Sequence, residues 1–176
     1  SVPMLLIALA VFLQDFHNPI FKQLRVTKDG RFFTMYKFRT MCVNAEQKLE
    51  ELRAQNEADG PVFKMKKDPR VTPIGRFLRK TSLDELPQFF NVLKGDMSLV
   101  GPRPEIPFHV EHFKEEIPRY LVRQQVRPGL TGWAQINGLR GDTDIAERIR
   151  YDIWYIENWT VAPVSYTHLR AHETVL

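Results

Sequence analysis

Two adjacent carboxylates, Asp84 and Glu85, stand in the stretch of chain best equipped for chemistry, residues 68–88. Just upstream, the cations Arg76, Arg79 and Lys80 share a short amphipathic segment with Phe77 and Leu78. Neighbouring carboxylates repel each other, so both stay ionised only beside positive charge or a metal. A phosphate-bearing substrate with Mg²⁺ would meet that need, because Mg²⁺ prefers hard oxygen ligands and phosphates. The same residues also suit a structural role. Ser82-Leu83-Asp84-Glu85 matches the S-x-x-E capping box, in which Glu85 reaches back to a backbone N–H. Pro87 is tolerated in a first helical turn, which predicts a helix beginning at Leu83 or Asp84. The two roles are compatible, since a helix N-terminus lowers the pKa of a carboxylate and keeps it a ready nucleophile.

Elements must hold these groups, and the chain is long enough to build them. Its 176 residues suit one domain with a real core. A net charge of +4 and a pI near 9.3 point to an anionic partner: phosphorylated substrates, a phospholipid surface or nucleic acid. Cys42 is the single cysteine, which excludes a disulfide framework and a cysteine zinc site and suits a reducing, cytoplasm-facing setting. The five histidines lack metal-ligand spacing. No Walker-type or G-x-G-x-x-G loop occurs, which argues against those modes of nucleotide binding.

In chain order, Val2 to Leu13 is an apolar run too short to span a bilayer; its length fits a re-entrant or a core helix. The basic flank from Lys22 to Arg39 favours the membrane reading. A hairpin is predicted next, with Phe21 to Val26 and Phe32 to Phe38 joined at Lys28-Asp29-Gly30. Lys37 and Arg39 near its end could form a solvated edge or a phosphate clamp. A polar helix is expected from Val43 to about Ala58, closed by Asp59-Gly60-Pro61. After the acid pair, Phe89 to Leu93 complete an apolar face and Met97 to Val100 read as a short buried strand. In Gly101-Pro102-Arg103-Pro104-Glu105, proline on both sides stiffens Arg103, which suits bidentate recognition of phosphate or a plain surface turn. A helix interrupted near Pro118 is expected from Phe108 to Val126. In the glycine-rich stretch that follows, Arg127 offers charge and Trp133 a stacking face. Asp144 to Trp159 reads as an aromatic-rich amphipathic helix, suited to a headgroup region or a core.

These blocks together resemble the bacterial sugar transferases, the monotopic phosphoglycosyl transferases. The match lies in Tyr36-Lys37-Phe38-Arg39-Thr40-Met41, in residues 68–88 and 91–105, and in residues 127–137 and 151–159, all in the family's order. The resemblance implies an α+β, mainly helical monotopic membrane domain with a small hairpin, a re-entrant helix and interfacial amphipathic helices. It implies transfer of a sugar-1-phosphate from a UDP-sugar to undecaprenyl phosphate with release of UMP, as an opening step of glycan assembly. Asp84 would be the nucleophile of a covalent phosphosugar intermediate, Glu85 its partner, and both would hold Mg²⁺. Lys37, Arg39, Arg70, Arg79, Arg103 and Arg127 would bind phosphate or substrate. Pro3, Leu5, Leu6, Ile7, Leu9, Val11 and Phe12 would contact lipid. Downstream glycosyltransferases are expected partners, and the setting is the cytoplasmic face of a bacterial cytoplasmic membrane.

The same resemblance divides the chain into a membrane helix over residues 1–20, a catalytic domain over 21–161 and a tail over 162–176. Ser1-Val2-Pro3 falls where the family's anchor bends, so an incoming half-helix is expected before it. The tail departs from the family and reads as a cloning or adaptor sequence. The segment between Val43 and Asp59 suits the longer hexose-1-phosphate members, for which glucose or galactose is the expected sugar. Other classes explain less. A basic membrane-peripheral scaffold would leave the acid pair as a mere cap. A nucleic-acid protein would share the pI, but no helix-turn-helix, zinc-finger or RRM signature is present. Within enzymes, the alternative is a single displacement with Asp84 as a metal ligand only.

Overall fold

A computed structural model describes residues 2–52, 65, 68–141 and 143–171. Ser1 of the expected bend, the polar helix beyond Leu52, the Asp59-Gly60-Pro61 turn and most of residues 62–67 lie outside them. The described chain is an α+β mixture of helices and short strands. It divides into two units, Ser1–Phe21 with Lys37–Leu86, and Lys22–Tyr36 with Pro87–Leu176.

In the first unit, the apolar run forms α1, Val2–Leu13. Its residues separate by face. Val11 is 1% exposed and packs with Phe38 and Leu78, and Met4, Ile7 and Ala8 lie against the same cluster. Leu5, Leu6, Leu9 and Phe12 point outward and are exposed. Of the residues assigned to lipid, Val11 is thus a core residue instead, because the 3.6-residue period carries it to the edge that meets protein. Among the described residues, no helix is long and apolar enough to cross a membrane.

The hairpin forms as its sequence predicts, with β1 over Ile20–Val26 and β2 over Phe32–Phe38. Asp29 and Gly30 take φ of 58° and 71°, the left-handed pair that such a reversal requires. Past β2, residues 40–42 lie beside 70–72 through a Met41–Val71 bridge and a 2.9 Å bond from the Cys42 N–H to the Arg70 carbonyl. A short polar helix, α2, covers Ala45–Leu52. Then α3, Pro73–Lys80, starts where Thr72 and Pro73 dictate: the Thr72 hydroxyl accepts from the Gly75 N–H at 3.0 Å and proline takes the first turn. Gly75 has a packing reason to be glycine. A Cβ there would lie 2.0 Å from the Thr40 carbonyl oxygen.

The second unit holds two apolar clusters. One gathers Val26, Val110, Phe113, Tyr120, Ile149 and Ile153; the other joins Phe33 and Met35 to Met97. Its first helix, α4, covers Gln88–Lys94 and ends at Gly95, φ 81°. Buried Asn91 on α4 accepts from the Tyr36 N–H at 3.1 Å and donates to the Thr34 carbonyl at 2.8 Å. The expected strand near Val100 is β3, Ser98–Val100, which pairs in parallel with β4, Gly129–Thr131. Between them run α5, Pro107–Glu116, and a 3-10 segment, Tyr120–Gln125, so the interruption near Pro118 is real. After β4 come α6, Trp133–Ile136, and α7, Ile145–Glu157, capped by Asp144 accepting from the Ala146 and Glu147 N–H groups. Finally α8 covers Val161–Arg170, starting at the last residue assigned to the catalytic domain and running into the expected tail over 162–176.

Candidate active site

Asp84 and Glu85 lie on one 3-10 turn, Leu83–Glu85, between the end of α3 and α4 in the sequence. The expected capping box is absent. Ser82 is left-handed, φ 54°, and its side chain makes no cap hydrogen bond. A capping residue needs extended backbone to aim its oxygen at the helix N–H groups, and the positive φ denies that. Glu85 turns elsewhere: the Lys37 ammonium donates to its Oε1 at 2.9 Å. Leu83 and Leu86 pack against the Val11–Phe38–Leu78 cluster and fix the turn from both sides. Asp84 between them is buried, 9% exposed.

The repulsion within the acid pair is answered from two elements. Lys37 on β2 serves Glu85, and its side chain is only 17% exposed, which removes the solvated-edge reading. Arg79 on α3 lies within electrostatic reach of Asp84. Partial burial of the guanidinium lowers the Arg79 pKa, and the opposing influence of the Asp84 carboxylate exceeds that of Asp68. The Arg79 Nε donates to the Thr40 hydroxyl at 2.8 Å.

Two other predicted cations in this unit are occupied by protein. Arg39 makes a two-pronged pair with Asp15, at 2.5 and 2.6 Å, and its Nε donates to the Asn18 carbonyl. It fastens the segment after α1 to the end of β2, and its hydrogen bonds hold the Asp15 carboxyl below its usual range. Arg70 is buried and grips Asp68 through Nε and a terminal nitrogen, lowering that carboxyl in the same way. Arg76 and Lys80 are exposed.

Arg103 and Arg127 belong to the second unit. The Pro-Arg-Pro loop is held by its own backbone: the Arg103 carbonyl accepts from Arg123 and the Pro104 carbonyl from Arg25, both at 2.9 Å. Arg127 is exposed beside an open groove of about 900 Å³ lined by Met97, Leu99, Tyr155 and Trp159. What anchors that loop carries no motif in the sequence. Arg123 and Asp152 form a buried ion pair at 2.8 Å, with side chains 6% and 3% exposed. Burial pushes Asp152 up, and it pushes the Tyr120 hydroxyl beside Arg123 up to about 12. Asp152 was findable, because it lies on the α7 face of Ile145, Ile149 and Ile153, where a carboxylate needs a partner. Thr40 was also passed over; nothing local marks its hydroxyl.

Among the described residues, no three His, Cys, Asp or Glu side chains cluster as a metal cage. Asp84 and Glu85 offer carboxylate oxygens that would suit a Mg²⁺ brought in on phosphates, the usual setting of that ion.

A family model described as bacterial sugar transferase matches residues 1–171. The chain belongs to that family. It is 48% identical over 149 residues to a Salmonella typhimurium protein named undecaprenyl-phosphate galactose phosphotransferase, covering 81% of this chain and 30% of that protein. It is 48% identical over 159 residues to an Escherichia coli UDP-glucose:undecaprenyl-phosphate glucose-1-phosphate transferase, covering 88% and 32%. An Aeromonas hydrophila protein named for N-acetylgalactosamine phosphotransfer is 46% identical over 160 residues, covering 90% and 35%. This sugar transferase chain therefore spans about a third of the length of these curated relatives.

Proposed function

We propose that the chain carries the phosphoryl-transfer centre of an enzyme that moves a sugar-1-phosphate from a UDP-sugar to undecaprenyl phosphate and releases UMP. The observation that carries this reading is the acid pair on one turn, Asp84 buried and Glu85 partly buried, with Lys37 of one element bonded to Glu85 and the charge of Arg79 from another acting on Asp84. In the first step an Asp84 carboxylate oxygen attacks the β-phosphorus of the UDP-sugar. The bond to the bridging oxygen breaks, that oxygen leaves with UMP, and the sugar-1-phosphate remains on Asp84 as an acyl phosphate. In the second step a lipid phosphate oxygen attacks the same phosphorus and restores the Asp84 carboxylate. The charge of Arg79 steadies the nucleophile as an anion and then the phosphoryl oxygens. Lys37 holds Glu85 in one place, from which it can serve a cation or a proton. Mg²⁺, held by Asp84 and Glu85, would neutralise charge on the diphosphate.

The exposed face of α1, with Leu5, Leu6, Leu9 and Phe12, suits burial in one leaflet on the cytoplasmic side of a bacterial membrane. Glycosyltransferases that extend a lipid-linked sugar would follow. The names of the relatives differ in the sugar, so the donor is assigned to the class of UDP-hexoses and UDP-N-acetylhexosamines. The test uses UDP-sugar labelled in the β-phosphate, without lipid acceptor. Label should stay on the protein, UMP should be released, neutral hydroxylamine should remove the label, and Asp84→Asn should abolish all three. Turnover that requires lipid for any UMP release, with label never on the protein, would leave Asp84 as a metal ligand in a single displacement.

A further inference from the structure

Arg79 is a long side chain near the end of α3, with several rotatable bonds, on a residue that is exposed overall. Its charge is useful to Asp84 only if the guanidinium is held in one place. Thr40 supplies a fixed point. It is 8% exposed, and its carbonyl accepts from the Thr72 N–H at 3.0 Å. The Thr72 hydroxyl, which caps α3, also reaches that carbonyl at 3.4 Å. Gly75 lies so near the same oxygen that a methyl group could not fit. The Thr40 backbone is thus locked to the very helix that carries Arg79, and its hydroxyl accepts from Arg79 Nε at 2.8 Å.

We propose that Thr40 is a positioning residue for the transfer, holding the Nε edge of Arg79 so that the guanidinium stands beside Asp84 and meets phosphate through its two terminal nitrogens. This rests on the reading of Asp84 as the reacting carboxylate. With Nε taken, the side-on mode of anion binding is closed and the end-on fork remains, which fixes the direction of approach. A lysine in place of Arg79 could not share itself this way, because its single nitrogen has no second edge.

The test compares Thr40→Val, which keeps the shape and loses the hydroxyl, with Thr40→Ser, which keeps it. Both are purified in detergent micelles and checked by thermal melting. The first readout is hydrogen exchange at the ¹⁵N-labelled Arg79 Nε. The second is UMP release with undecaprenyl phosphate and, in parallel, UDP-glucose, UDP-galactose and UDP-N-acetylgalactosamine. Thr40→Val should expose Nε to fast exchange and lower turnover about tenfold, the scale of a lost hydrogen bond to a charged group. Thr40→Ser should restore both. On an Arg79→Gln background, Thr40→Val should add less than about twofold, because positioning acts through the arginine. Wild-type turnover with Nε still protected in Thr40→Val overturns the proposal, as do equal damage from serine and valine or additive losses. A wild-type protein that releases UMP from none of the three donors overturns the reaction reading and this role with it, while Nε exchange still decides the contact.

Discussion

Replacing Asp152 with asparagine removes one charge from a buried ion pair and little else, since the two side chains are nearly equal in size. Arg123 would keep its bonds to the Tyr120 hydroxyl and the Arg103 carbonyl but lose the carboxylate 2.8 Å from its Nε. With the Arg123 side chain only 6% exposed, water cannot replace that partner. Breaking a buried pair from one side costs about 3–5 kcal/mol, against a total of about 5–15 kcal/mol for a folded domain. At about 2–4 °C per kcal/mol for a domain of this size, the melting temperature should fall by roughly 10 °C. The assay is urea denaturation and thermal melting of the wild type, Asp152→Asn, and a double variant carrying Arg123→Met and Asp152→Leu. The double variant should recover part of the loss, because it buries no unpaired charge. A loss below about 1 kcal/mol in Asp152→Asn, or a double variant worse than the single by more than about 2 kcal/mol for the two lost bonds to Tyr120 and the Arg103 carbonyl, would refute the reasoning.

Two further outcomes follow from the arginines and the acids they hold. Arg103→Lys should lose at least about tenfold in UMP release, because lysine keeps the charge but not the planar fork; near-normal turnover would make Arg103 a turn residue alone. Asp68 and Asp15 have depressed pKa values in the folded protein, so their stabilisation is present above about pH 4 and is lost as pH falls through the folded values. Asp68→Asn should therefore cost about 1–2 kcal/mol at pH 7 and flatten the fall in stability between about pH 4 and pH 2 in urea titrations; a curve parallel to wild type would mean the Arg70 pair contributes nothing.

The parts of this fold that were legible in the sequence are those decided by a few neighbouring residues. Asp29-Gly30 supplied the left-handed pair, Asp144 opened α7, and Pro118 broke a helix. The capping box failed because one backbone angle, at Ser82, depends on how Leu83 and Leu86 are packed rather than on the motif. The pairing of β3 with β4 was illegible for a different reason. Each strand has three residues, too few to show a period, and their partnership is set by the close approach of Gly129 to Gly101. Of the site, the acid pair and Lys37 could be chosen by residue type. Arg39 and Arg70 looked the same as Arg79 in the sequence, yet Asp15 and Asp68 bind the first two. A carboxylate two residues from Arg70 was visible; one 24 residues from Arg39 was not.

The first unit separates what makes it stable from what aims its charges. Burying side chains such as Val11, Phe38 and Leu78 contributes about 1.5–3 kcal/mol each, whereas a hydrogen bond such as that from Arg79 to Thr40 contributes about 0.5–1.5 kcal/mol net, or somewhat more for a charged donor. The apolar cluster therefore decides whether Leu83 and Leu86 are seated, and with them whether Asp84 and Glu85 are presented at all. The polar contacts decide direction. Lys37 and Arg79 come from separate segments of this unit, so their charges reach the acid pair only if residues 37–40 and α3 keep one angle, and the Thr40–Thr72–Gly75 junction is where that angle is fixed. Core substitutions in this unit should accordingly reduce folded protein and activity together. Substitutions at the junction that spare the backbone should reduce activity in protein that is still folded, which is the behaviour expected when a small energy controls a position rather than a population.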